Sequence, residues 1–158
     1  MNVKRKETGK SLTTNCLNST DDNAGCGVQG AVDTYGSALN ANGGGVYAME
    51  WRSDGIRIWF FQRSSIPSDI TAGISPDPSG WGEALADFPA THCDIGSHFK
   101  NMSLIANIDL CGSWAGSTSV YSTQDGCPGT CSDFVAQNAS AFDTAVWEWK
   151  SWKVYQAS

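Results

Sequence analysis

The chain holds four glutamates, Glu7, Glu50, Glu83 and Glu148. Glu50 and Glu148 each stand beside tryptophan, a setting that can raise a carboxyl pKa towards that of a general acid. Carboxylates that work in pairs need a fixed separation across the reacting bond, and no two of these four are close in sequence. The plainer reading of Glu50 is a rim carboxylate paired across a hairpin with Arg57 or Arg52. Chemistry of the Ser/His/Asp kind would draw on His92 or His98, but no serine sits in a G-x-S-x-G elbow.

Six cysteines follow: Cys16, Cys26, Cys93, Cys111, Cys127 and Cys131. Closure over the shortest loops favours Cys16 with Cys26, Cys93 with Cys111, and Cys127 with Cys131 among the formal pairings. Zinc is the rival use, but no two cysteines are spaced by two residues and neither histidine fits a ligand pattern. No metal or other cofactor is expected. Three acceptor triplets for N-glycosylation begin at Asn18, Asn101 and Asn138. Paired cysteines with three such triplets predict a secreted protein. Residues 1–10 are polar and basic with no apolar stretch, so they do not form a signal peptide. The expectation is a chain that begins partway through a longer secreted product.

The elements that must position these residues are β-rich. Charged residues are only 16% of the chain, with 17 glycines and 7 tryptophans, a balance that suits an extracellular β protein. Past Lys10 the chain carries six basic against fifteen acidic residues, which argues against nucleic acid or an anionic membrane as partner. No apolar run is long enough to cross a membrane as a helix.

Residues 43–61, GGGVYAMEWRSDGIRIWFF, read as a hairpin. Tyr47, Met49 and Trp51 point one way and Val46, Ala48 and Glu50 the other. Asp54-Gly55 supplies the turn. Residues 1–12 read as a basic, mobile segment and residues 35–42 as a short strand. Residues 63–88, with three of the five prolines, read as a long ordered loop that shapes a site. Residues 98–110 show strand-like alternation. Residues 132–141 predict a short helix with Ser132 as cap. Residues 145–155, VWEWKSWKVY preceded by Ala145, read as a closing strand.

Four stretches together carry a resemblance: GGGVYAMEW…DGIRIWFF, IPSDI…PDPSGWG, NIDLCGSWAG and WEWKSWKVYQ. They are similar to fungal glycoside hydrolase family 16, the laminarinase-like endo-β-1,3(4)-glucanases. The likeness runs over residues 13–156, and residues 2–10 read as foreign to it. It implies an all-β, concanavalin-like sandwich, or jelly roll, of which residues 13–158 would form one incomplete portion. It also implies that Asn107 and Trp114 border a sugar-binding cleft. An indole can stack on the apolar face of a pyranose while its N–H meets a hydroxyl, and a carboxamide can donate and accept. The alternatives are a core tryptophan in a turn and an asparagine that satisfies its own loop. Trp81, between Gly80 and Gly82, is a third candidate for sugar contact, with a loop anchor as the plainer reading.

The family's catalytic strand carries Glu-x-Asp-x-x-Glu or Glu-x-Asp-x-Glu. None of the four glutamates here has an aspartate two residues on with a glutamate beyond, so no catalytic residue is assigned. Three functions follow as expectations. The first is β-glucan binding by a sandwich that lacks the catalytic strand, lectin-like if dimeric. The second is endo-β-1,3(4)-glucanase activity as part of a longer product or assembly. The third is a structural or interaction protein with a relic site. Half a sandwich leaves strand edges and an apolar face open, and a second copy of the chain is one way to cover them.

Overall fold

The computed structural model describes residues 5–17, 19 and 25–156. The chain divides into two compact units, Met1–Met102 and Ser103–Ser158, where the sequence led us to expect one sandwich portion.

The first unit is built on the expected hairpin. Strand β3, Gly45–Arg52, pairs antiparallel with β4, Gly55–Gln62. Tyr47, Met49 and Trp51 oppose Phe60, Ile58 and Ile56, so these six share a face, while Ala48 opposes Trp59 on the other. A third strand, β5, Ala86–Pro89, joins the far edge of β4, which gives the order β3-β4-β5. Pro89 ends that strand at the sheet edge, where a missing donor costs little. Gly55 makes the approach possible: a Cβ there would lie 2.8 Å from the Phe88 carbonyl oxygen.

From Lys6 onward the start of the chain hydrogen-bonds to this sheet. The Thr8 and Gly9 amides donate to the Ala84 and Leu85 carbonyls at 2.8 and 3.0 Å. The Lys6 amide donates to the Asp87 carboxylate, and the Asp87 amide to Glu7. The Arg5 guanidinium lies 4.8 Å above the Phe88 ring. Its charge is thus absorbed by an aromatic face and by Glu7 at 4.0 Å, which is why a basic start need not be solvated. Strand β1, Lys10–Ser11, then pairs with β2, Val28–Gln29, and the Cys16–Cys26 disulfide closes the loop between them.

Residues 35–42 differ from the expected strand. They form helix α1, Gly36–Ala41, because no neighbouring strand offers them a ladder and Ala, Leu and Asn satisfy their backbone locally. The long loop contains α2, Ser68–Ala72, and short 3-10 turns before β5. Helix α3, Ile95–His98, starts at Asp94, whose carboxylate accepts from the Gly96 amide at 3.1 Å.

The second unit has no strand among its described residues. It holds α4, Gly112–Ala115, a wide π turn at Thr118–Gln124, and α5, Cys131–Gln137. The helix expected at 132–141 is therefore present, broken into α5 and a 3-10 turn at Ala139–Phe142. Its cap is Thr130 rather than Ser132: the Thr130 hydroxyl accepts from the Asp133 amide at 3.2 Å. The strands expected at 98–110 and 145–155 are absent. Alternating side chains mark a face, but a strand needs a partner for its backbone, and the described residues provide none there.

The disulfides also differ in part. Cys16–Cys26 is as expected, but the second bond joins Cys111 to Cys131, with Cα atoms 5.7 Å apart. Cys93 and Cys127 are free thiols. Shortest-loop closure fails here: Cys111 caps the start of α4 and Cys131 opens α5, and their Cα separation lies within bonding reach although 20 residues separate them in sequence.

Candidate functional site

Trp114 sits in the single turn of α4. It is 71% exposed, and its ring has no hydrogen bond or aromatic contact with the described residues. The turn is held through its backbone, since the Trp114 carbonyl accepts from the Ser117 hydroxyl at 2.8 Å. Upstream, the Asn107 carboxamide donates to the Asp109 carboxylate at 2.8 Å. The Asn107 carbonyl accepts from the Trp147 indole N–H at 3.0 Å. Asn107 thus satisfies part of its own loop, one of its two readings, and also ties the closing segment to that loop.

That segment contributes a feature sequence reading passed over. Trp147 and Trp149 stack with centroids 5.4 Å apart, and Trp149 meets Trp152 at 4.8 Å. All three are substantially exposed. The signal was the W-x-W-x-x-W spacing, whose third ring strict strand alternation assigns to the opposite face.

Trp81 belongs to the first unit and is anchored there. Its indole N–H donates to the Asp69 carboxylate at 2.8 Å, and it meets Trp59 and Phe61 edge to face at 5.3 and 5.7 Å. Trp59 is 4% exposed and donates to the Gly82 carbonyl at 3.1 Å. The Asp77 amide, first, and the Trp81 indole hold the Asp69 carboxyl below the usual carboxylate range. Beside these rings lies a cavity of about 260 Å³, whose lining includes Trp59, Phe61, Trp81, Asp33, Gln62 and Glu83.

The remaining carboxylates have structural roles or stand alone. Glu50 accepts from Arg52 at 3.1 Å and Arg57 at 3.3 Å, the cross-hairpin pairing read from the sequence. Arg57 also holds Asp54 at 2.9 Å and reaches Asp87 at 3.4 Å. The hydrogen bond from Arg57 is the main reason the Asp54 pKa is lowered. Glu148 is exposed. Among the described residues no three His, Cys, Asp or Glu groups gather as a metal site, and no helix is long and apolar enough to cross a membrane.

Of the glycosylation triplets, Asn101 is exposed with a left-handed φ of 54°. The Asn138 amide nitrogen donates to the Phe134 carbonyl at 2.9 Å. Asn18 lies outside the described residues.

Comparison with known proteins places this geometry. The model of an XgeA-like, catalytic family 16 glycoside hydrolase domain matches residues 1–155. The likeness therefore includes the basic start that the sequence reading set apart. A probable glycosidase of Schizosaccharomyces pombe is 52% identical over 98% of this chain and 37% of its own length. The endo-1,3(4)-β-glucanase XgeA of Emericella nidulans is 38% identical over 96% of this chain and 24% of its own length. Laminarinase 16A of Phanerochaete chrysosporium, solved with two β-glucans in its donor and acceptor sites, is 42% identical with a TM-score of 0.78. That match covers 92% of this chain and 50% of the laminarinase. The chain spans about a quarter to a third of these curated relatives and half of the solved enzyme. It belongs to glycoside hydrolase family 16, with the all-β jelly-roll class of the family's laminarinases, as an endo-1,3(4)-β-glucanase-like domain.

Proposed function

We propose that these residues form the tryptophan-bearing wall of an endo-β-1,3(4)-glucanase cleft, and that the catalytic carboxylates lie in sequence outside the 158 residues. The observation that carries this is Trp114: a large indole left 71% exposed in the segment that resembles the family's cleft border. An aromatic ring in that state is suited to stacking on a pyranose. Relatives matched over 92% and 96% of this chain are named as endo-1,3(4)-β-glucanases. The glutamates present do not make the family's acid pair, and Glu50 is consumed by two arginines. The wall binds glucan; hydrolysis needs the acids.

The apolar face of Tyr47, Met49 and Trp51 is exposed, and in this reading the rest of the family domain covers it. The disulfides and the sequons at Asn18, Asn101 and Asn138 favour an extracellular product. A monomer by sedimentation would support cover by the same product, and a dimer would transfer that role to a second copy.

The test is titration of the chain with laminarin, alongside a reducing-sugar assay. The expected result is binding that Trp114→Ala weakens by about tenfold or more, with no hydrolysis by the chain alone. Co-expression with a family 16 segment that carries Glu-x-Asp-x-x-Glu restores cleavage. Hydrolysis at an enzyme-like rate by the 158 residues alone overturns the assignment of the acids. No heat with laminarin, with Trp114→Ala altering only stability, favours a relic site.

A further inference from the structure

The cavity of the first unit contains no residue of the 107–116 segment. We propose that it is a second carbohydrate site, which takes a single hexopyranose ring. Its volume of about 260 Å³ falls below the roughly 300–1,000 Å³ of pockets that hold drug-sized ligands, which suits one small ring. Its lining joins two chemistries. Phe61 and Trp81 offer aromatic surface, with Trp59 buried against Trp81 as its support, and Asp33, Gln62 and Glu83 offer polar groups. No lysine, arginine or histidine lines it, which disfavours an anion.

A pyranose matches that combination, because its C–H face suits the rings and its hydroxyls donate to carboxylates. An organic cation would want unshared negative charge. Here the Gln62 amide already donates to Asp33, which leaves a mixed set of an amide carbonyl and the Glu83 carboxylate. Glu83 has no ion pair with the described residues and is exposed at the rim. The aromatic wall is rigid, since Trp59 and Trp81 are each held by an indole hydrogen bond. Such a wall costs little entropy to present to a ligand.

The choice of a glucoside as probe rests on the family reading, but the site does not depend on Trp114. The experiment follows the indole N–H resonances of Trp59 and Trp81 as methyl β-D-glucoside is added to the 158-residue chain. We expect saturable shifts at both. Glu83→Ala should weaken the apparent affinity by about tenfold and Glu83→Gln by less, since a hydrogen bond to a charged group is lost or reduced. Trp114→Ala should leave it unchanged. Melting curves verify that the Glu83 variants fold. Absence of saturable shifts at tens of millimolar glucoside overturns the proposal, as does equal affinity in the folded Glu83→Ala protein. Stronger shifts with tetramethylammonium than with glucoside overturn the sugar assignment. Laminarin heat lost in Trp114→Ala with the glucoside shifts kept supports two separate sites. Glucoside shifts without laminarin heat sink the cleft wall and leave this pocket standing.

Discussion

Two stretches of this chain look alike on paper. Residues 45–62 and residues 145–155 both alternate large apolar side chains with polar ones. The first is a paired hairpin with a buried Trp59 and a third strand beside it. The second has no ladder among the described residues; Trp147 stacks on Trp149, and Trp149 meets Trp152 edge to face instead. The contrast teaches that alternation specifies shared faces only where a partner strand makes the segment a strand: in the closing segment Trp152 meets Trp149 although alternation sets them on opposite faces. The hairpin carries its own partner two residues away; the closing segment must find one elsewhere. Backbone groups without a ladder turn to water, and exposed indoles turn to each other.

The largest test of the contrast compares tryptophans. Trp59→Ala should cost about 3–5 kcal/mol in urea unfolding, as for other buried aromatic truncations. Trp152→Ala should fall within about 0.5 kcal/mol, as for surface positions. Equal losses would mean that the closing segment is packed in solution as firmly as the hairpin.

Next comes the covalent support that stands in for a sheet in the second unit. Cys131→Ser opens a bond spanning 20 residues and should cost about 3 kcal/mol under oxidising conditions. Cys93→Ser, at a free thiol, should be close to neutral. A large effect of Cys93→Ser would sharpen the comparison by revealing a partner for that thiol.

Smaller effects belong to the rim of the hairpin. Glu50→Ala removes contacts to Arg52 and Arg57 and should cost about 1 kcal/mol, less in high salt. The smallest concerns acid. The Asp69 pKa is lowered in the folded chain by the Asp77 amide and then the Trp81 indole. Its contribution is therefore present above the unfolded carboxylate value, near 4, and lost as pH falls through the lower folded value. Trp81 emission should change over that acid range and not in Asp69→Asn. An identical acid response in that variant would assign the change to another carboxylate.

The sequence announced the hairpin and the pairing of Glu50 with Arg57 or Arg52 because both are local. It announced α5 through a capping residue and helical spacing, and missed the cap by two positions because the serine and the threonine can both accept at a helix N-terminus. It did not announce the contacts made at the start of the chain, where the basic run suggested solvent. What holds Arg5 is the Phe88 ring, a neighbour about eighty residues away that no local pattern reveals. The same limit explains the Cys111–Cys131 bond. Trp114 and Asn107 were legible only through resemblance, and for Trp81 the sequence offered both sugar contact and a loop anchor, the second of which its indole bond to Asp69 fits. The Asp33, Gln62 and Glu83 rim was not legible at all, because three distant segments build it.

The bonds from Lys6 and Glu7 to Asp87 span 81 and 80 residues. During synthesis, that edge must wait, unpaired, until β5 has left the ribosome. Its closure is a late, non-local event of the kind that slows folding. Chains interrupted between the hairpin and Asp87 would carry an open edge into the cell, and those are the products a chaperone would be expected to hold.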